Sequence, residues 1–192
     1  MTTPVLHLIV GPNGAGKTTF YERVLYRATR LPFINADVIA QERWPSDPGA
    51  HAYQAAEQAA LLRQEAIESR SSFAAETVFS HPSKLELLRS AGAAGYRRYL
   101  YAILIPEELA VLRVGVRVEV GGHDVPEEKI RSRFHRLWTL VRQAIPLADE
   151  AEILDNSRAA APFRRIARYT RGRRIAAADW PVWTPPELRG VM

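Results

Sequence analysis

Ten residues near the amino terminus carry the clearest chemical signal in the chain. Residues 11–20 read GPNGAGKTTF and match the pattern G-x-x-x-x-G-K-[ST] at every position. In such a loop the glycines let successive backbone N–H groups point at phosphate oxygens, and the helix behind them adds positive potential. We expect Lys17 to reach the outer phosphates and Thr18 to ligate magnesium. The predicted nucleotide-binding residues are Gly11, Pro12, Asn13, Gly14, Ala15, Gly16, Lys17, Thr18, Thr19 and Asn156.

The loop alone does not name the reaction, because motor ATPases, GTPases and small kinases all use it. A motor ATPase needs a second strand that ends in Asp-Glu, and an ABC-type ATPase needs an LSGGQ-like stretch. A GTPase needs NKxD to read guanine. None of these motifs occurs in the sequence. A compact kinase that uses ATP is therefore the favoured interpretation.

Polar side chains follow several predicted strands. Asp37 follows FINA, the pair Glu76 and Thr77 ends SFAAET, and Asn156 lies in the DNS that follows AEIL. In an open parallel sheet, ligands bind at the carboxyl ends of the strands. Transfer to a hydroxyl needs a carboxylate, so we predict Asp37 as the base and Glu76 and Thr77 as acceptor-binding residues. The alternatives are a helix N-cap for Asp37 and, for Glu76, water-mediated magnesium binding or an exposed acid.

An arginine-rich segment, residues 113–136, reads RVGVRVEVGGHDVPEEKIRSRFHR. It predicts two helices that flank a glycine-hinged turn and close over the phosphates as a lid. Arginine suits this role because its planar fork binds phosphate bidentately. We predict that Arg117 and Arg133 face inward. The alternative is that these are surface arginines, paired with Glu119, Glu127 and Glu128.

The elements that must position these residues alternate between strand and helix. Apolar runs predict strands at residues 5–10, 33–36, 72–77, 98–105 and 151–154, with helical stretches between them. This order predicts an α/β fold, a P-loop kinase-like parallel sheet of about five strands with helices on both faces. The C-terminal extension, residues 158–192, predicts a hairpin or edge strand around Gly172, with Trp180 and Trp183 packing on the rest.

Composition sets the remaining limits. The chain has 192 residues and no cysteine, so one domain over residues 1–192 is expected and disulfides are excluded. No apolar run approaches the roughly 20 residues that span a bilayer, and a cytoplasmic protein is expected. The net charge of +5 and pI of about 9.8 admit a polyanion partner. A polynucleotide or nucleoside kinase is therefore one alternative, and a nucleotide-gated binding protein or toxin component with little turnover is another.

Five stretches together resemble the zeta toxin family, and more closely its zeta-toxin-like branch of predicted ATPases or kinases. They are GPNGAGKTT, FINAD, AAETVFS, RVxxRVxxGGHxVPxxKIxxRF and LDNS, and they cover roughly residues 5–157. The phosphate loop is common to many families. The combination of the other stretches with it is much more specific.

The resemblance implies a P-loop kinase fold, ATP with magnesium, and transfer of the γ-phosphate to the sugar hydroxyl of UDP-N-acetylglucosamine. It also implies neutralisation by a protein antitoxin. On the family pattern, Lys17 matches the loop lysine and Asp37 the catalytic aspartate. Glu76 and Thr77 resemble the acceptor-binding acid and threonine. Arg117 and Arg133 would correspond to the lid arginines.

Overall fold

A computed structural model describes residues 2–119 and 125–190, and its centre is a seven-stranded sheet. The strands are β1 (Val5–Val10), β2 (Phe33–Ile34), β3 (Phe73–Thr77), β4 (Arg97–Leu104), β5 (Glu150–Asp155), β6 (Arg164–Thr170) and β7 (Arg173–Arg174). Their order across the sheet is β2-β3-β1-β4-β5-β6-β7. The phosphate loop follows β1, which lies between β3 and β4, so the loop emerges at the middle of the sheet.

The first five strands run parallel, as predicted. The sheet has seven strands rather than five because the predicted C-terminal hairpin joins it. β6 pairs antiparallel with β5 and β7 with β6. The turn between them uses two residues with positive φ, Arg171 at 48° and Gly172 at 78°. Glycine adopts such angles without a steric penalty, which is the reason that Gly172 predicts a turn.

Helices connect the parallel strands and lie on both sheet faces, as predicted. They are α1 (Lys17–Phe20), α2 (Tyr26–Thr29), α3 (Ala36–Arg43), α4 (Ala52–Glu68), α5 (Ser83–Ala93), α6 (Glu107–Glu119), α7 (Glu127–Ala144) and α8 (Pro186–Arg189). A π-helical segment, Tyr21–Leu25, joins α1 to α2. Within the described ranges, no helix combines the length and the apolar character that crossing a membrane requires.

Two apolar cores hold these layers together. Alternate residues of a strand point to opposite faces, so Leu8 belongs to one core and Ile9 to the other. Trp138 of α7 and Leu188 of α8 are buried in the core that contains Leu8. Trp180 and Trp183 of the C-terminal extension pack against that same core, as the sequence analysis predicts.

The start of α3 contradicts the alternative in which Asp37 is the helix N-cap. The N-cap is Asn35, whose Oδ1 accepts a hydrogen bond of 2.7 Å from the Asp37 backbone N–H. Asp37 therefore occupies the first turn and its carboxylate is not used for capping. Both predicted lid helices are present as α6 and α7. The glycine-hinged turn predicted between them falls on residues 120–124, which lie outside the described residues.

Candidate functional site

The phosphate loop holds a backbone conformation that depends on its glycines. Gly14 and Gly16 have φ values of 74° and 85°, in the region that side-chain-bearing residues rarely adopt. A Cβ atom at Gly16 would lie 2.7 Å from the side-chain nitrogen of Asn156. That nitrogen donates a hydrogen bond of 2.9 Å to the Ala15 carbonyl. Asn156 thus anchors the loop to the end of β5.

Arg113 braces the same loop from α6. Its guanidinium donates a 3.0 Å hydrogen bond to the Asn156 carbonyl and a longer one, 3.4 Å, to the Gly14 carbonyl. These contacts join α6, β5 and the loop into one unit. Arg113 belongs to the arginine-rich segment that was predicted to form the lid. In the structure its guanidinium instead donates hydrogen bonds to the backbone carbonyls of Gly14 and Asn156.

Glu76 lies at the point where the loop and the neighbouring strands meet. Parallel pairing aligns Ile9 of β1 with Glu76 of β3, so this carboxylate emerges beside the loop. Its Oε2 accepts hydrogen bonds from the Thr18 hydroxyl at 2.8 Å and from the Asn35 amide at 2.9 Å. Its Oε1 lies 3.6 Å from Lys17 Nζ. Glu76 is therefore not the exposed acid of the alternative hypothesis.

Burial and charge act in opposite directions on Glu76. Desolvation raises the pKa of the Glu76 carboxyl, while the Lys17 charge and the Thr18 hydrogen bond lower it. Negative charge on Asp37 raises it further. The net direction is upward, because the side chain is only 9% exposed and the positive charge of Lys17 does not fully replace water.

The oxygen atoms around Thr18 suit a magnesium ion. The Thr18 hydroxyl and the Glu76 carboxylate are hard oxygen donors that already touch each other. Among the described residues, no group of three His, Cys, Asp or Glu side chains could hold a metal ion. Magnesium in phosphate-handling sites commonly uses one or two protein oxygens together with substrate phosphates and water. The residues present fit that mode of binding.

Asp37 and Arg133 line the same cleft as the phosphate loop. Asp37 is exposed at the start of α3, and Arg133 is half-buried on α7. Burial lowers the pKa of the Arg133 guanidinium. The nearby Asp37 carboxylate partly offsets this, and the Arg136 charge adds to it. A hydroxyl bound near Asp37 would therefore have both a carboxylate and a cation in its surroundings.

The cleft has a volume of about 720 Å³ and is strongly basic. Its charged lining residues are Lys17, Arg63, Lys84, Arg113, Arg117, Lys129 and Arg133, against Asp37 and Glu76. Thr18, Thr19 and Thr77 also line it. The residues predicted to be catalytic or to bind the acceptor therefore share one cleft. Arg131 instead pairs with Glu107, Glu108 and Glu127, in the manner that the surface-arginine alternative describes.

Among the cleft residues that sequence reasoning missed are one amide, Asn35, and three cations, Arg63, Lys84 and Lys129. Asn35 precedes a helix, and asparagine is a preferred N-cap residue, so the FINAD stretch carried that signal. Arg63 follows Ala52, Ala56 and Ala59 at helical spacing, which places all four on one face of α4. No local pattern distinguishes Lys84 or Lys129 from surface lysines.

Comparison with known proteins places the chain among nucleotide-binding domains. Residues 6–137 match the family model described as AAA domain. No curated protein matches the chain. Several solved structures share its fold at low sequence identity.

One is a chain from the PezAT chromosomal toxin–antitoxin system of Streptococcus pneumoniae, with TM-score 0.62 and 19% identity, over 81% of this chain and 68% of that one. A second is the AvrRxo1-ORF1:-ORF2 complex with ATP, with TM-score 0.69 and 15% identity. It covers 95% of this chain, which spans 66% of that chain. A third is shikimate kinase from Acinetobacter baumannii, in complex with shikimate, with TM-score 0.56 and 21% identity over 82% and 87% of the two chains. The chain therefore belongs to the AAA domain family and has the fold of the P-loop phosphotransferases.

Proposed function

We propose that the protein is an ATP-dependent kinase of zeta-toxin type, which transfers the γ-phosphate of ATP to a hydroxyl of a small molecule. One observation carries this proposal: Asp37 shares a cleft with the phosphate loop and with Arg133, and its carboxylate acts on the Arg133 charge. A carboxylate beside the loop is what a hydroxyl acceptor needs. The similar solved structures that hold ATP or are named as a kinase support it.

The loop and its supports would bind the triphosphate. Backbone N–H groups of residues 13–18 would surround the phosphates, and Lys17 would neutralise the outer ones. Thr18, with Glu76 beside it, would hold magnesium, which supplies charge neutralisation on the phosphates when it is bound. Glu76 would then help to bind magnesium, which is the alternative role that the sequence analysis gave it. Thr77 stays a candidate for contact with the acceptor.

Transfer itself would take place where the γ-phosphate meets the acceptor hydroxyl, beside Asp37. The acceptor hydroxyl oxygen forms a bond to the γ-phosphorus as the bond to the bridging oxygen breaks, and ADP leaves with that electron pair. Asp37 takes the hydroxyl proton. Arg133 and Arg117 would stabilise the charge on the transferring group, because both line the cleft from the lid helices. Closure of the lid would exclude water as a competing acceptor.

The identities proposed for the acceptor and for the protein partner are inferred from the resemblance to the zeta toxin family. UDP-N-acetylglucosamine is the proposed acceptor, and a protein antitoxin is the proposed partner. The comparison with a toxin–antitoxin system supports the second point at the level of fold. A single cytoplasmic domain remains part of the same proposal.

A polynucleotide or nucleoside kinase is the second candidate, since seven of the nine charged residues that line the cleft are basic. It predicts RNA or DNA binding that weakens steeply with salt, because phosphate contacts release counterions. A binding protein with little turnover would instead capture ATP and a partner without forming a phosphorylated product.

Mass spectrometry of the reaction products tests the proposal. The protein is incubated with ATP, magnesium and UDP-N-acetylglucosamine, in parallel with a Lys17→Ala variant. One added phosphate on the sugar nucleotide, seen only with the wild-type protein, is the expected result. If ATP binds but neither this acceptor nor a panel of small hydroxyl compounds and RNA is phosphorylated, the kinase proposal is wrong.

A further inference from the structure

Two basic residues of the cleft belong to neither the phosphate loop nor the lid. Arg63 lies on α4 and Lys84 lies in the first turn of α5, and both line the cleft. These helices flank β3 in the chain, whereas the loop follows β1 and the lid follows β4. Arg63 and Lys84 therefore approach the cleft from the side that also carries Asp37, where we place the acceptor.

The face of α4 that leads to Arg63 is made of small side chains. Ala52, Ala56 and Ala59 line the cleft at intervals of four and three residues, and Arg63 follows four residues later. This spacing puts the four residues on one helical face. The alanines leave room in the cleft, and the first long side chain on that face is a cation.

Arg63 and Lys84 are close enough to repel each other. The Arg63 charge lowers the pKa of the Lys84 ammonium, and burial lowers the pKa of both groups. Over residues 2–119 and 125–190, neither side chain pairs with a carboxylate or donates a hydrogen bond. By contrast, Arg98 and Arg131 each pair with acids. Two half-buried cations held together without an acid are unfavourable unless an anion binds between them.

ATP does not account for this pair. Lys17 lies at the phosphate loop, and Arg117, Lys129 and Arg133 line the cleft from the lid helices α6 and α7. The phosphates of one nucleotide with its magnesium can be met by these groups. The positive charges of Arg63 and Lys84 are therefore available to bind the other substrate, the acceptor.

We propose that Arg63 and Lys84 bind an anionic group of the acceptor, a phosphate or a carboxylate, at a point separate from the hydroxyl that is phosphorylated. This inference rests on the proposed kinase function and deepens it by assigning residues to the acceptor: the acceptor is an anionic hydroxyl compound, as UDP-N-acetylglucosamine with its diphosphate is, and a neutral polyol is a poor substrate. The chemistry of transfer is unchanged, with the hydroxyl proton passing to Asp37 and ADP leaving.

Anion binding to the nucleotide-loaded protein tests the inference without requiring turnover. The protein is saturated with a non-hydrolysable ATP analogue and magnesium, so that all three phosphate positions are filled, and it is titrated calorimetrically with inorganic phosphate and, separately, with malonate. The variants are Arg63→Gln, Lys84→Gln and the double variant. Arg142→Gln, which removes an exposed arginine in the last turn of α7, is the matched control.

We expect at least one anion to bind the wild-type and Arg142→Gln proteins, and each cleft variant to weaken this binding about tenfold or more. The affinity for the ATP analogue should not change. Binding of phosphate alone indicates a phosphorylated acceptor, and binding of malonate alone indicates a carboxylated one. Absence of binding, or equal binding by the double variant, overturns the inference.

Failure of this inference and failure of the kinase proposal can be told apart. Intact phosphorylation of an acceptor by the double variant, with unchanged KM for that acceptor, rejects the anion site and leaves the kinase standing. Anion binding that Arg63 and Lys84 control, in a protein that transfers no phosphate, supports the site and rejects the kinase.

Discussion

Glu76 contacts three other residues of the cleft, and no single sequence motif predicted all three contacts. Its two oxygens meet the Thr18 hydroxyl, the Asn35 amide and the Lys17 ammonium. The sequence predicted that polar groups would collect at the strand ends. It could not predict which groups touch, because that depends on the register between β1 and β3 and on where α3 begins.

The raised pKa of Glu76 makes a prediction about pH. Its carboxyl titrates above the ordinary value of 4.5 in the folded, nucleotide-free protein. The unfolded chain therefore ionises first, and stability is lost as pH rises from 4.5 through the folded pKa. Glu76→Gln removes this titration. The free energy of unfolding of wild type minus that of the variant should fall over this window, by up to about 1.4 kcal/mol per pH unit, and then level off.

Urea unfolding at a series of pH values measures this difference. Glu128→Gln, which removes an exposed acid from α7, controls for the change in net charge. A difference that is flat or that rises with pH would show that Lys17 and Thr18 outweigh burial at Glu76.

Gly16 provides a second test at single-residue scale. Gly16→Ala places a Cβ in a backbone conformation with φ of 85° and 2.7 Å from the Asn156 amide. The strain should lower the free energy of unfolding by about 1–3 kcal/mol, with weaker ATP binding as the loop distorts. Gly115→Ala on α6 is the matched control, since a Cβ there meets nothing within 4 Å. It should stabilise by about 0.5–1 kcal/mol. Equal unfolding energies for Gly16→Ala and wild type would contradict the account of the loop.

At the scale of elements, strong apolar patterns predicted the helices and strands well. The amphipathic pattern of α7 and the aromatic-rich run of β4 are long, and burial of one helical face or both strand faces fixes their type. Ends were harder to place. α3 begins one residue earlier than Asp37, because Asn35 takes the capping role that aspartate could also have filled.

The two lid helices differ in how their arginines are used. Arg131 of α7 forms ion pairs with Glu107 and Glu108 of α6, so it ties the helices together. Arg133, two residues later, faces the cleft and Asp37. Helical periodicity predicts that Arg131 and Arg133 lie on different faces of α7, but it does not predict which face is directed towards the phosphates.

This arrangement predicts unequal effects of neighbouring arginine substitutions. Arg133→Ala should lower the rate of phosphoryl transfer by about 10²-fold, since a donor aimed at the transferring group is lost. Arg142→Ala, which removes an exposed cation in the last turn of α7, should retain close to the wild-type rate. Stopped-time assays of ADP formation with acceptor present compare them. Equal rates for Arg133→Ala and wild type would remove Arg133 from the site.

At the scale of the molecule, the C-terminal extension belongs to the same sheet and core as the loop-bearing part. β6 extends the sheet from β5, and Leu188 is fully buried in the core that also contains Trp138. The sequence predicted a hairpin or edge strand there, with tryptophan packing. The antiparallel join to β5 was not predictable locally, because it depends on contacts between distant segments.

If the chain is one domain, damage to the extension should destabilise the whole. Leu188→Ala should lower the free energy of unfolding by about 2–5 kcal/mol, because it leaves a cavity in the core. Val182→Ala, at a side chain that is 93% exposed, should change it by no more than about 0.5 kcal/mol. Urea unfolding followed by fluorescence and by circular dichroism should give one coincident transition for both. Two separate transitions would contradict a single domain.

The most direct test of the central claim is a paired measurement on Asp37→Asn. ATP affinity is measured by calorimetry, and the rate of γ-phosphate transfer is measured under single-turnover conditions with the acceptor that wild type phosphorylates. The account predicts near-normal ATP affinity with transfer slowed by about 10²–10⁴-fold, because only the proton acceptor is lost. Transfer at the wild-type rate would contradict the claim that Asp37 serves the acceptor in this cleft.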